Sequence, residues 1–199
     1  MSYEQAVRIP VERVGAVIGK EGGTKRFLEK EMGVKLSVDS REGLVTVRSE
    51  SALTADPFSA MRVIEAIGRG FSPQKARRLL EEGTALEVID LRDYAGRSVK
   101  SLERIRGRVI GEKGKSRRVI EELTSCHLSV YGRTVAIIGE ASEVQLASEA
   151  VRSLATGSQH KTVYNTLQKA RTKHKMERMF LWEGTSPETI EEKLQKLER

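Results

Sequence analysis

The sequence predicts an α+β protein built from two similar domains, each a three-stranded antiparallel sheet backed by three helices, with a helical extension behind them. Three observations carry that reading. The stretch "VIGKEGGTKRFLEK" (residues 17–30) returns as "VIGEKGKSRRVIEE" (residues 109–122). The order of apolar periodicities around each stretch is the same. The remaining C-terminal residues are basic and apolar at helical spacing.

The repeat is in register. When Gly19 is set on Gly111, Gly22 falls on Gly114, Val17 and Ile18 on Val109 and Ile110, Lys25 and Arg26 on Arg117 and Arg118, and Glu29 on Glu121. "KLSV" (residues 35–38) falls on "HLSV" (residues 127–130). Context repeats with motif, so the duplicated unit is a domain.

Each unit opens on an alternating segment, "EQAVRIP" or "LEVIDL", that reads as a strand. A short apolar helix follows, through Val14, Val17 and Ile18 or through Ile105, Val109 and Ile110. After the glycine turn a second helix carries Thr24, Phe27, Leu28 and Met32 and stops at Gly33, a C-cap. Val119, Ile120 and Leu123 occupy the equivalent helix. A hairpin comes next, "VKLSVDSREGLVTV" or the tighter "HLSVYGRTVAII", which turns at Tyr131, Gly132 and Arg133. Asp56-Pro57 then opens an amphipathic helix with Phe58, Met61, Ile64 and Ile67, and its partner runs from about Ala141 through Val144, Ala147 and Val151 to Leu154. The predicted domains are residues 1–70 and 85–157. Residues 71–84 form a connector helix with Ser72 as N-cap and Pro73 at its first position, ending near Gly83.

Residues 158–199 read as a basic helical tail. Val163, Leu167, Ala170 and His174 predict an inward stripe, with Lys161, Lys169, Arg171, Lys173, Lys175 and Arg178 mostly outward. Trp182 is expected to pack the tail onto the body. A last short helix is expected from Thr185 or Ser186, with Pro187 in its first turn and Glu188 placed for a capping box.

Composition narrows the function. Lys and Arg number 35 against 28 Asp and Glu, a formal net charge of +7. That excess favours an acidic partner such as nucleic acid, with solubility as the plainer explanation. No apolar run approaches the roughly 18 residues of a membrane span. Glu4, Arg8 and Glu12 leave no signal-peptide core, so an intracellular, cytoplasmic chain is expected. The one cysteine, Cys126, excludes an internal disulfide and a cysteine-rich zinc site and reads as a small buried hydrophobe. No HExxH, G-x-S-x-G or carboxylate cluster appears, and the three histidines (127, 160, 174) are scattered; no enzyme, metal or cofactor is expected.

The glycine turns fit no nucleotide loop. A Walker A motif needs a glycine five positions before "GKS" at 114–116, where Val109 stands, and G-x-G-x-x-G is absent. A plain helix-turn-helix explains the glycines but not the basic pair after each. Val-Ile-Gly-x-x-Gly between two helices, in strand-helix-helix-strand-strand-helix order, resembles the K-homology (KH) domain of eukaryotic type (type I), present twice over roughly residues 4–70 and 86–155. The resemblance implies that each G-x-x-G loop clamps the backbone of about four unpaired nucleotides, with bases lying on an apolar groove.

The binding residues so implied are Gly19, Lys20, Glu21, Gly22, Lys25 and Arg26 with Ile18 and Leu36, and Gly111, Glu112, Lys113, Gly114, Lys115, Arg117 and Arg118 with Arg108, Ile110 and Leu128. Leu28, Val38, Ile120 and Val130 complete the two expected grooves, some of these residues being core. Each loop carries one carboxylate, Glu21 or Glu112, unfavourable beside phosphate. "GKGKSRR", with Arg104, Arg106 and Arg108 before it, ranks the second copy as the better RNA binder; the first binds weakly or meets a protein. Aromatics are only 5%, so base stacking of the RRM kind is not expected.

Nearly the whole chain, including "RVIGEKGKSRRVIEELT", is similar to the archaeal KH proteins of ribosome assembly that are counterparts of the eukaryotic partner of the Nob endonuclease. That resemblance implies single-stranded RNA at the 3′ region of small-subunit (16S) rRNA as ligand during pre-rRNA maturation. It also implies the Nob-type endonuclease and the α subunit of initiation factor two as partners. The alternative is a KH-fold protein-interaction adaptor or a general RNA-binding regulator.

Overall fold

The computed structural model describes residues 3–49 and 55–182. The side chains of Arg178 and Trp182 and the last helix expected near Thr185 lie outside the described residues. The first domain runs β1 (Tyr3–Arg8), α1 (Val11–Ile18), α2 (Gly23–Met32), β2 (Lys35–Asp39), β3 (Leu44–Ser49) and α3 (Pro57–Gly68). The connector is α4 (Pro73–Ala76), continued by a 3-10 turn, Arg77–Leu80. The second domain follows with β4 (Thr84–Asp90), α5 (Arg92–Ala95), α6 (Val99–Ile110), α7 (Lys115–Thr124), β5 (His127–Tyr131), β6 (Thr134–Glu140) and α8 (Ala141–Thr156). Helix α9 (His160–Trp182) is the tail. Both sheets are three-stranded and antiparallel, ordered β1-β3-β2 and β4-β6-β5.

Local signals explain the element ends. The Asp56 carboxylate accepts the Ser59 amide at 2.9 Å, with Pro57 at the first helical position of α3. Ser72 caps α4 through the Lys75 amide, and Gly33 ends α2 at φ 62°. Helix α5 and the extra turn of α6 have no equivalent in the first domain. Ser98 caps the Ser101 amide and starts α6 well before Ile105, in a run whose arginines mask its apolar period. On α3 the inward residues are Ala60, Val63, Ile64, Ala66 and Ile67, while Phe58 is 65% exposed and meets the Tyr3 ring at a tilt of 56°.

The two sheets differ in what covers their outer faces. In the first, Ala6, Thr46, Ser37 and Leu44 share the face opposite the core with Glu4, Arg8, Arg48, Lys35 and Asp39, a mostly polar set suited to solvent. In the second, every residue of β6 from Thr134 to Gly139 is buried. Side chains alternate across a strand, so Val135 and Ile137 enter the second domain's core while Ala136 and Ile138 join the core that holds Phe71, Ala76 and Leu79. Register places Leu86 opposite Ile138, Val88 opposite Ala136, and His127, Ser129 and Tyr131 on the same outer face. All three of the latter touch the preceding half. The Ser129 hydroxyl donates to the Arg69 carbonyl at 2.9 Å, the Arg13 guanidinium lies over the Tyr131 ring at 5.9 Å, and Arg78 meets His127 at 3.1 Å. Arg13 also donates to the Ile67 and Phe71 carbonyls at 3.0 and 2.6 Å, fixing α1 to the end of α3.

Helix α9 lies on α7 and α8 through Val163 and Leu167, with Ala170 and His174 half-buried and Lys161, Lys169, Arg171, Lys173 and Lys175 exposed. His174 Nδ1 stands 3.3 Å from a Glu143 carboxylate oxygen. The Cys126 thiol is buried, and desolvation pushes it up to about 11. Among the described residues no helix is long and apolar enough to cross a membrane, and no group of three metal-ligating side chains assembles.

Candidate nucleic-acid interface

The two glycine turns share one backbone shape. Gly19 and Gly111 have φ/ψ of 75/174° and 72/174°, and Gly22 and Gly114 have 75/13° and 75/16°. Between them Glu21 and Lys113 take the left-handed conformation at φ 51° and 49°. The hydrogen bonds match too. Gly19 and Gly111 donate to the Gly15 and Gly107 carbonyls at 2.8 Å, and Gly22 and Gly114 donate back to Gly19 and Gly111 at 3.1 and 3.2 Å.

Each glycine is required for its own reason. A Cβ on Gly19 would stand 2.7 Å from the Thr24 amide nitrogen, and one on Gly111 would stand 2.7 Å from that of Ser116. The first glycine therefore lets the loop fold against the following helix. The second faces outward. A Cβ on Gly114 would meet nothing within 4 Å, and one on Gly22 only the Arg26 guanidinium at 3.2 Å. Its missing side chain leaves room for a ligand backbone. Helices α2 and α7 begin immediately after it, and no side chain caps either first turn. The first amide of each helix, Gly23 or Lys115, donates to the Lys20 or Glu112 carbonyl, and the next, Thr24 or Ser116, lies against Gly19 or Gly111, so what the helix start offers an anion at the open side is its positive dipole end.

Charge separates the copies. The left-handed position carries a carboxylate in the first loop (Glu21) and an ammonium in the second (Lys113), while the preceding position carries Lys20 or Glu112. All four side chains are exposed. Lys115, Arg117 and Arg118 are exposed on the first turn of α7, and Arg118 donates to the Lys113 carbonyl at 3.2 Å, which braces the loop. In the first copy Arg26 is exposed and Lys25 half-buried beside Glu29 at 3.9 Å.

The expected groove residues divide into surface and support. Ile18, Val38, Ile110 and Val130 are half-exposed beside the loops. Leu28, Leu36, Ile120 and Leu128 are 0, 4, 0 and 3% exposed and belong to the two cores. Leu36 and Leu128 thus support the groove from below, because the strand's inward face is closed by helix packing. Arg108 is engaged within the protein. Its Nε donates to the Leu154 carbonyl at 3.1 Å and its Nη2 to the Ser158 carbonyl at 2.5 Å, so it ties α6 to the end of α8. Glu29 and Glu121 had no role assigned from sequence beyond their repeated position. Each accepts the amide of the strand residue at the groove, Leu36 at 2.9 Å and Leu128 at 2.8 Å, and joins helix to strand across the groove floor.

Fold and loops together define a tandem KH protein of type I. The pattern of the eukaryotic-type KH domain (type I), in its form for the second domain of PNO1 proteins, matches residues 85–172, and that of the KH domain matches residues 4–82. A KH domain-containing protein of Methanocaldococcus jannaschii is 46% identical over 185 residues, which is 92% of this chain and 80% of the relative. Dim2p of Pyrococcus horikoshii superposes with a TM-score of 0.76 at 43% identity, over 84% of this chain and 99% of that one. In a complex of a/eIF2α, aDim2p and rRNA from the same organism, the matching chain gives 0.80 at 42%, over 86% and 95%. The chain belongs to the Pno/Dim-type family of tandem KH proteins, RNA-binding proteins of ribosome assembly.

Proposed function

We propose that the protein binds single-stranded RNA at the 3′ region of small-subunit (16S) rRNA during pre-rRNA maturation, with the second loop as the stronger clamp. The observation that carries this is the second loop itself: an outward glycine at the start of α7, Lys113 exposed in the loop, and Lys115, Arg117 and Arg118 exposed on the first turn after it. Phosphate would approach Gly114 and the positive dipole end of α7, and the flanking cations would lower its energy there. Ile110 and Val130 would meet the bases. The first loop offers the same backbone shape with Glu21 at the critical position, so its contribution is smaller at the phosphate. Kinship with a protein found in a complex with a/eIF2α and rRNA supports the 3′ rRNA ligand and the α subunit of initiation factor two as partner. Family membership extends the proposal to a Nob-type endonuclease.

Fluorescence anisotropy tests it, using a labelled strand of the 16S 3′ end, a shuffled strand and a duplex. The expected order is matching strand, shuffled strand, duplex. Lys113→Asp should weaken the matching strand at least tenfold, since it replaces attraction by repulsion at the clamp. Equal binding of all three probes, unchanged by Lys113→Asp, would move the reading to a protein adaptor with a generic basic surface.

A further inference from the structure

A cavity of about 440 Å³ opens where the connector meets the second domain, at the end of α7 and the start of β5. Lys75 of the connector lines it together with Arg118, Glu121, Glu122, Ser125 and His127 of the second domain. Only the joining of the two halves brings these groups to one place. Arg118 reaches it from the turn that braces the clamp loop, so the cavity and the loop are neighbours along α7.

The chemistry of the lining is specific. Arg78 Nη1 lies 3.1 Å from His127 Nε2. A guanidinium only donates, so Nε2 accepts and the ring proton sits on Nδ1. Burial, with Lys75 and Arg78 nearby, holds this imidazole below its ordinary pKa and keeps it neutral. The ring's remaining polar group is therefore a single N–H donor. Glu121 is engaged with the Leu128 amide at 2.8 Å and faces Arg117 at 3.7 Å. Glu122 is exposed and, among the described residues, has no ion-pair partner. The cavity thus offers the imidazole as a neutral donor, the free Glu122 carboxylate beside the engaged Glu121, the Ser125 hydroxyl and two cations.

We propose that this cavity holds one further unpaired nucleotide of the bound RNA and prefers guanine to adenine there. Guanine sets a carbonyl oxygen beside two N–H donors, which suits a histidine donor next to a carboxylate. Adenine has no carbonyl and presents a bare ring nitrogen that the carboxylate would repel. Lys75 and Arg118 receive the phosphate. The site rests on the RNA-binding reading above and adds to it a base preference outside the clamp.

The test compares a four-nucleotide strand with strands extended at either end by guanine or adenine, on the full chain and on Lys75→Ala and Glu122→Gln. Both substituted residues are exposed, so neither change disturbs the core. One guanine extension should bind about tenfold tighter than its adenine counterpart. Glu122→Gln should erase that difference, and Lys75→Ala should weaken only the extended strands and lower their salt slope by about one. Equal affinity for guanine and adenine extensions at both ends, with the four-nucleotide strand still bound and still sensitive to Lys113→Asp, overturns the cavity and leaves the clamp. Loss of equal size on short and extended strands in Lys75→Ala overturns it as well. Failure of every strand to bind overturns the clamp reading, and the cavity with it.

Discussion

Gly111 and Gly114 both have positive φ, yet they differ in what a side chain would meet. At Gly111 a backbone open essentially to glycine alone (φ 72°, ψ 174°) adds to a contact with the Ser116 backbone, whereas Gly114 carries only the milder left-handed strain (φ 75°, ψ 16°). Gly111→Ala should cost more than about 2 kcal/mol of stability and Gly114→Ala about 1 kcal/mol, read by urea unfolding. Equal costs would mean that the loop yields at Gly111. This difference makes Lys113→Asp the better probe of RNA binding, because aspartate tolerates the left-handed backbone that position already adopts. Cys126 gives a second test at this scale. Its thiol is raised from an ordinary value of 9.0 to about 11 by burial. Above pH 9 the unfolded chain loses this proton and the folded chain keeps it, so stability should fall as pH rises from about 9 to 11. Cys126→Ala should flatten that fall, and alkylation of the native thiol near pH 8 should proceed only as fast as unfolding exposes it.

At the scale of elements, α9 was legible because its inward stripe is short and regular. Val163 and Leu167 fall one turn apart and are 5 and 4% exposed. Leu167→Ala should destabilise the protein by about 2–3 kcal/mol, and Lys173→Ala by less than about 0.5 kcal/mol, in thermal unfolding. Similar small effects for both would mean that α9 adds little to the second core. The repeated order of strands and helices was legible for the same reason, since caps such as Asp56-Pro57 and Ser72-Pro73 mark starts directly. Helix α5 was not, because "RDYA" has too few residues to show a period. Depth in the groove was not legible either. Alternation puts Leu36 and Val38 on one face of β2, but only packing decides that Leu36 is closed off while Val38 stays half-exposed. Arg108 looked like an RNA contact because it precedes the loop; its carbonyl partners, Leu154 and Ser158, are distant in sequence and bear no mark of the contact.

For the molecule as a whole, strand β6 decides how the halves behave. Two adjacent residues, Ile137 and Ile138, are each 0% exposed, and they belong to different cores. The repeated motif does not foretell this, but the strands themselves differ: β3 alternates as LVTVRS, whereas β6 carries the unbroken apolar run VAII of a strand covered on both faces. Separating the halves would expose Ala136, Ile138 and their neighbours Leu86 and Val88 on one side, and Phe71 and Leu79 on the other. Loss of that burial would cost several kcal/mol, a large share of a typical domain's stability. The described chain should therefore unfold in one calorimetric transition with matching van't Hoff and calorimetric enthalpies. Ile138→Ala should lower stability by about 3 kcal/mol and weaken hydrogen-exchange protection in α3 of the first domain as well as in β6. Ile137→Ala should cost a similar amount, with the first loss of protection in α6 and α8. Two resolved transitions, or an Ile138→Ala effect confined to the second domain, would mean that the halves are independent; the cavity between them would then lack the fixed wall that Lys75 provides.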